Sequence, residues 1–213
     1  MAIRPTKTAA LENGFSLIEV LVAITIVMVG LLGLAGMQAR AQVAEFESYQ
    51  RAQALVLLYD MMDRVNNNRT TASCFAITTA TTFFGDPANP VTLACAAGTT
   101  ADNALAVASM TAWDNLLQGT AEKKGAAATN VGAMVGARGC ISYNAATEYL
   151  NATTGAAVGG TGEYTIAVSW QGMADTFAPF KACGAGLYGS AAANDTRRRT
   201  VWATLRIGTL LQR

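Results

Sequence analysis

The 213-residue sequence contains no histidine, and only 14% of its residues are charged. Without histidine, neither a Ser-His-Asp nor a Cys-His mechanism of nucleophilic catalysis can be assembled. The acidic residues are scattered, and no glycine-rich phosphate loop follows a predicted strand. The sequence therefore favours a structural or binding protein over an enzyme and predicts no cofactor.

The chain also has no marked excess of positive or negative charge, because it contains 15 Lys and Arg residues and 14 Asp and Glu residues. A net charge of +1 gives no electrostatic reason to expect a polyanionic partner. The run Arg197-Arg198-Arg199 is a candidate DNA contact, but three charges ahead of a strand more often lie on a solvated edge. Nucleic acid is therefore not expected as a partner.

The longest apolar segment begins at Val20 and continues to Met37 without a charged residue. Its eighteen residues match the length of a membrane-spanning helix. Glu19 stands at the head of this segment, although a carboxylate costs about 2.5–3.5 kcal/mol at the centre of such a helix and less near its end. The presence of Glu19 at this position therefore indicates that its carboxylate has a specific function. In the alternative, Glu19 snorkels to the interface of an ordinary anchor helix.

Residues 1–14 precede this segment and carry Arg4 and Lys7 but no apolar core. A secretory signal peptide would place its apolar stretch before the cleavage site, whereas here it follows the small residue Gly14. Cleavage between Gly14 and Phe15 would therefore leave the membrane helix on the mature chain. The basic residues ahead of that helix predict a cytoplasmic N terminus.

The run Gly14-Phe15-Ser16-Leu17-Ile18-Glu19-Val20 resembles the N terminus of the type IV pilin family. The resemblance implies that a prepilin peptidase removes residues 1–14 and N-methylates Phe15. It also implies a role in subunit assembly for Glu19, which would meet the N-terminal amine of a neighbouring subunit. Such a protein is anchored in the inner membrane by a single helix, with its C-terminal domain in the periplasm.

Three glycines, Gly30, Gly33 and Gly36, lie three residues apart within the membrane segment. They either form a small-residue face for close helix packing or weaken the helix locally, because each glycine costs a helix up to about 1 kcal/mol relative to alanine. Major pilins that resemble this chain have a proline at the position of Gly36. Its absence argues against a role as the main filament subunit.

The helical pattern continues beyond the membrane segment, because Gln38 to Val65 contains neither glycine nor proline. Apolar residues recur there at 3.6 residues per turn, with Gln50 as the polar exception. This apolar face comprises Val43, Phe46, Ala54, Leu57, Leu58, Met61 and Val65. Asn66-Asn67-Asn68 predicts the end of the helix. We therefore expect a transmembrane half at 15–37 and an amphipathic half at 38–66 that holds a globular domain.

The remaining residues, 67–213, suffice for one periplasmic domain of ordinary size. Periodicity predicts a helix from an N-cap at Asp102 to Gln118, and strands at Arg138–Asn144, Gly162–Gly172 and Val201–Ile207. The stretches 120–135, 151–161 and 184–196 have the composition of loops. Consecutive strands favour an antiparallel sheet laid against the amphipathic half of the long helix, which is an α+β ladle of the type IV pilin kind.

Two burial patterns accompany these elements. Alternation within Gly162–Gly172 predicts a strand with one buried face and one exposed face. In the helix, the expected apolar contributors are Leu105, Met110, Trp113, Leu116 and Leu117.

Four cysteines, Cys74, Cys95, Cys140 and Cys183, are an even number in a chain expected to be exported, which predicts disulfides. Three pairings exist, and Cys74–Cys95 with Cys140–Cys183 is favoured because each bond closes a moderate loop within one subregion. Each closure would contribute about 3–4 kcal/mol by constraining the unfolded chain. A zinc site is the alternative, but no two cysteines have the short spacing of zinc ligands and histidine is absent.

Further features are similar to PilV-type minor pilins. These are a helix containing Asp102 and Trp113, the pair Cys140-Ile141, the run from Glu163 to Gly172, Cys183, and Arg197-Arg198-Arg199. The resemblance implies a minor pilin that helps initiate type IV pilus assembly within a complex near the filament tip. Its partners would be prepilin peptidase, other minor pilins, the major pilin, the inner-membrane assembly platform and a large tip adhesin. A minor pseudopilin of a type II secretion system and a lone membrane-anchored adhesin remain the alternatives.

Overall fold

The computed structural model describes residues 14–79, 82–125, 129–132, 134–189 and 195–208. The chain forms two compact units, Met1–Glu45 and Phe46–Arg213. The predicted basic leader lies outside the described residues, apart from Gly14.

The first helix, α1, comprises Leu17–Asn67 and confirms the prediction of one long helix from the membrane segment into the domain. It ends where the asparagine run predicts, because Asn68 donates to the Arg64 carbonyl from its backbone nitrogen (3.1 Å) and from Nδ2 (2.8 Å). These bonds satisfy a carbonyl that the last turn would otherwise leave without a partner. Asn68 has a φ of −106°, so the helix ends without a left-handed residue.

Within the second unit, α1 contributes a buried stripe to the hydrophobic core. Its members are Gln50, Ala54, Leu58, Met61 and Val65. The predicted apolar face is therefore confirmed from Ala54 onward but is wrong for Val43 and Phe46, which are exposed. Periodicity alone could not show that burial begins only at Gln50, because it reports which side of a helix is apolar and not where the packing partner starts.

Gln50 is fully buried, and neither its Oε1 nor its Nε2 has a hydrogen-bond partner among the described residues. A buried polar group without a partner costs about 1–3 kcal/mol. We therefore expect Gln50→Met, which is similar in volume, to raise the free energy of unfolding of the full chain in detergent by about 1–3 kcal/mol. The matched control is Gln53→Met, because the Gln53 amide bonds to the exposed Tyr49 hydroxyl. Equal or lower stability of Gln50→Met in denaturant titration would contradict this expectation.

The second helix, α2, comprises Thr100–Leu117. Its N-cap is Thr99 and not Asp102, so that part of the prediction is wrong: Asp102 is the third helical residue and closes a capping box with Thr99. Trp113 lies in the core and donates from Nε1 to the Leu57 carbonyl of α1 at 2.9 Å. Two of the expected apolar contributors, Leu105 and Leu116, are exposed.

In the part of the chain that the structure describes, five strands follow, grouped in two sheets. They are β1 (Lys123–Lys124), β2 (Thr129–Asn130), β3 (Arg138–Asn144), β4 (Glu163–Gln171) and β5 (Arg198–Arg206). The short pair β1–β2 lies in a stretch predicted to be loop, whereas β3 has the predicted bounds. The last strand begins three residues before the predicted Val201.

The three long strands form an antiparallel sheet in the order β3-β4-β5. Ile141 pairs with Ile166, which pairs in turn with Ala203. One face of the sheet shares a hydrophobic core with α2 and the second half of α1. The expected α+β fold, a long helix packed on a C-terminal antiparallel sheet, is therefore confirmed.

Strand β4 departs from its predicted half-buried pattern, because every residue from Ile166 to Trp170 is buried. The face opposite the core is covered near Cys183, whose carbonyl accepts a hydrogen bond of 2.9 Å from Ser169 Oγ. A segment that returns over the second face of a sheet is a long-range feature that alternation cannot predict.

Candidate processing and assembly site

The predicted processing site lies just ahead of α1. Gly14 and Phe15 are exposed and outside the helix. Ser16 directly precedes the helix, and its carbonyl accepts hydrogen bonds from Glu19 N (3.0 Å) and Val20 N (3.3 Å). A Cβ added to Gly14 would meet no atom within 4 Å. Within its unit, the Gly14–Phe15 peptide bond is therefore in accessible, non-helical backbone.

Glu19 lies in the first turn of α1 and is exposed. The helix N terminus carries partial positive charge from its unpaired amides, so a carboxylate is stabilised there. Among the residues that the structure describes, Glu19 forms no ion pair. Its charge is therefore available to a cationic group from outside the described chain.

The apolar part of α1 that follows is exposed along its length. Its most apolar 18-residue window has a mean hydropathy of 2.7, and none of that window is buried. The one hydroxyl near its middle, Thr25 Oγ1, is satisfied by the Val22 carbonyl at 2.8 Å. By length and composition, α1 can therefore cross a membrane without leaving a polar group at its centre unpaired.

The three membrane glycines do not interrupt α1. A Cβ added to Gly30, Gly33 or Gly36 would meet no atom within 4 Å. They therefore form a narrow open strip on the helix, suited to close approach by another helix.

Both favoured cysteine pairs lie at disulfide distance. The Sγ atoms of Cys74 and Cys95 are 2.01 Å apart, and those of Cys140 and Cys183 are 2.08 Å apart. The first pair joins the 3₁₀ segment Arg69–Phe75 to the chain ahead of α2, and the second joins β3 to the segment that covers β4. Over the described ranges, no cluster of three potential metal-binding side chains occurs.

We expect both disulfides to form in the periplasm, so that the folded full chain contains no free thiol. Peptide mapping without reduction should recover Cys74 linked to Cys95 and Cys140 linked to Cys183. Recovery of Cys74 linked to Cys140 or to Cys183 would contradict the pairing.

The arginine run at the start of β5 is not the solvated edge that the sequence predicts. Arg198 is 4% exposed, and its Nε lies 3.0 Å from Asp195 Oδ2 while its guanidinium also donates to the carbonyls of Pro179, Lys181 and Cys183. Only Arg197 keeps a largely exposed ion pair, with Asp175. The main role of the run is therefore to stabilise the preceding loop through the hydrogen bonds of Arg198.

Arg199 makes a contact with α1 that the sequence did not predict. Its Nη2 lies 3.2 Å from Glu47 Oε1 of α1, across 152 residues of chain. Glu47 Oε1 also accepts from the backbone nitrogens of Met173 (3.0 Å) and Ala174 (3.3 Å). The only signal for this pair in the sequence is an acidic residue on a helix face and a basic residue in a strand. That signal fits many other acid–base pairs equally well.

A tyrosine cluster organises the other end of the sheet. The Tyr143 hydroxyl donates to Glu148 and accepts from the backbone nitrogens of Gly160 and Gly162, both at 3.0 Å. Burial raises the pKa of the neighbouring Tyr164 to about 12. Burial and the hydrogen bond to Glu148 also raise the pKa of Tyr143, so both phenols are protonated at neutral pH.

Comparison with known families places the N-terminal features in one motif. The model of the prokaryotic N-terminal methylation motif matches residues 10–35, or 26 of the 213 residues. The match includes Gly14, Phe15 and Glu19. Neither the comparison with curated proteins nor the comparison with solved structures gave a significant match.

The motif is a type IV pilin-like prepilin signal, and it indicates a pilin or pseudopilin. The signal implies processing by prepilin peptidase and pilus assembly with other pilins, and together with the apolar N-terminal helix it fits a membrane-anchored pilin.

Proposed function

We propose that the chain is a minor pilin that helps initiate type IV pilus assembly, as part of a minor pilin complex near the filament tip. The observation that carries the proposal is Glu19, an exposed carboxylate without an ion-pair partner among the described residues, four residues after the predicted cleavage site. Processing would create a positively charged amine on Phe15.

The amine and the carboxylate are matched in charge, but within one chain, four residues apart, we expect them to interact only loosely. In an apolar environment each charge needs a close partner, since removing one member of a buried ion pair typically costs about 3–5 kcal/mol. Subunits stacked with an axial offset would bring the amine of one chain to Glu19 of the next. The pair would then favour the correct axial alignment of the docking subunits. It would not be a large net source of affinity.

The exposed apolar surface of α1 supports the same proposal. In the membrane it would face lipid, and in an assembled filament it would face the corresponding helices of other pilins. The strip formed by Gly30, Gly33 and Gly36 allows a partner helix to approach closely.

A role in initiation, at low copy number, is favoured over that of the main filament subunit. Major pilins that resemble this chain have a proline where Gly36 stands, and the C-terminal residues are similar to minor pilins. The partners would be other minor pilins, the major pilin, the inner-membrane assembly platform and a large tip adhesin.

The second candidate is a minor pseudopilin of a type II secretion system, because the methylation motif is common to both classes. Affinity isolation of the chain from detergent-solubilised membranes, followed by mass spectrometry, separates the two. We expect other minor pilins to be recovered. Recovery of secretion-system pseudopilins in their place would overturn the proposal.

A further inference from the structure

The connection between β4 and β5 exposes large apolar side chains in a short stretch, Met173 to Lys181. Phe177 is 99% exposed and Phe180 is 80% exposed, and Met173 is also exposed. We call this stretch the apolar loop. Single exposed apolar residues are common on proteins, but three in nine residues mark a surface that meets something apolar.

The apolar loop is held at both ends. At its start, Glu47 accepts from the Met173 and Ala174 nitrogens, and Arg199 Nη2 donates to the Ala174 carbonyl at 2.8 Å. At its end, the buried Arg198 donates to the carbonyls of Pro179 (2.9 Å) and Lys181. The protein therefore supports the exposed phenylalanines with buried and partly buried charged groups.

The contact with Glu47 limits how far the apolar loop can be from a membrane that α1 crosses. Glu47 follows Met37, the last residue of the apolar run, by ten residues. Ten residues of chain reach at most about 33–36 Å, and the headgroup layer on one side of a bilayer occupies about 5–8 Å of that distance. The lipid surface is thus the apolar partner that is always within reach of an anchored chain.

The charges around the apolar loop also suit a lipid surface. Lys181 Nζ lies 4.5 Å from the ring centroid of Trp202 and 5.4 Å from that of Phe180, and the two rings pack edge to face. Aromatic rings beside a lysine are characteristic of residues at the membrane interface.

The acid in this loop does not oppose such a contact. Hydrogen bonds from Thr196 and then Arg197 lower the pKa of Asp175, whose carboxylate is paired with Arg197 at 3.2 Å. Among the described residues, Lys181 forms no ion pair, so its charge remains available to anionic headgroups.

We propose that the apolar loop rests on the periplasmic surface of the membrane, with Phe177 and Phe180 among the headgroups and Lys181 directed at anionic lipid. This inference rests on the membrane anchoring in the proposed function. The contact would hold the domain at the bilayer before assembly and would be released when the subunit leaves the membrane.

The test uses the full chain in lipid nanodiscs that contain anionic lipid, with bromine on the upper acyl chain as a fluorescence quencher. Phe177→Trp introduces a reporter in the apolar loop. Tyr149→Trp is the matched control, because Tyr149 is exposed and packs near Arg206 at the opposite end of β5. The emission added by each tryptophan is measured relative to the unsubstituted chain in the same discs.

We expect the added emission of Phe177→Trp, but not that of Tyr149→Trp, to be lost in brominated discs. Replacing anionic lipid by zwitterionic lipid should restore part of the emission, and Lys181→Gln should remove that dependence on lipid charge.

Equal emission of Phe177→Trp in brominated and plain discs, with the chain recovered in the discs, would overturn the inference and leave the pilin proposal standing. Quenching that follows the number of chains per disc and not the bromine would assign the surface to a second copy and also overturn it. Failure to recover the chain in discs would refute the membrane anchor, on which both proposals depend.

Discussion

Replacing Glu19 by valine is expected to weaken association with partner pilins while leaving membrane insertion and leader cleavage intact. Insertion should persist because the substitution only raises the hydropathy of the first turn of α1. Association should weaken because the N-terminal amine of a neighbouring subunit would lose its counter-charge in a dry interface, a loss that typically costs about 3–5 kcal/mol. Co-purification from membranes, with recovered partner pilins quantified against the wild-type chain, measures the effect.

Thr25→Val is the matched control for that experiment. Thr25 lies in the same exposed apolar helix, and its hydroxyl is already satisfied by the Val22 carbonyl. This substitution makes the same polar-to-valine change without removing a charge, so partner recovery should be unchanged. Undiminished association of Glu19→Val would remove the proposed role of the carboxylate in docking.

Blocking removal of the leader is the second change with a large expected effect. Gly14→Val should leave the full leader on the chain and Phe15 unmethylated, because it replaces the small residue that predicts the cleavage site. The substitution should not disturb α1, since a Cβ at Gly14 meets no atom within 4 Å. Intact-mass analysis of protein from a peptidase-positive host should show retention of 14 residues and no methyl group.

Gly36→Ala provides the control, because it also adds a Cβ in open space but lies far from the cleavage site. Its mass should correspond to a chain that begins at methylated Phe15. Normal cleavage of Gly14→Val, or a wild-type chain beginning at Met1 or Ala2, would contradict the processing account.

Local signals predicted the elements of this fold well. The absence of glycine and proline from Gln38 to Val65 and the asparagine run after it predicted the extent of α1 closely, because helix continuity depends on nearby residues. The strand predicted at Arg138–Asn144 has the bounds of β3. The strongest candidate site, Gly14 to Glu19, was also local: an acid at the head of an apolar run is visible without any structure.

Features that depend on distant contacts were not predictable. Arg198 reads as a solvated charge, but its environment comes from carbonyls of a loop that precedes it by about 15 to 19 residues. The pairing of Arg199 with Glu47 spans 152 residues. The buried second face of β4 depends on the return of the chain near Cys183. In each case the interacting residues are visible in the sequence, but the course of the chain that brings them together is not.

Surface pili counted by electron microscopy in a strain lacking the gene for this chain test most directly whether the chain helps initiate type IV pilus assembly. The count should be made alongside an assay of exoprotein release, and it should recover when the wild-type gene is restored. We expect few or no surface pili with normal exoprotein release. Normal pili with failed release would indicate a secretion pseudopilin, and normal pili with lost attachment would indicate an adhesin; either result would contradict the account.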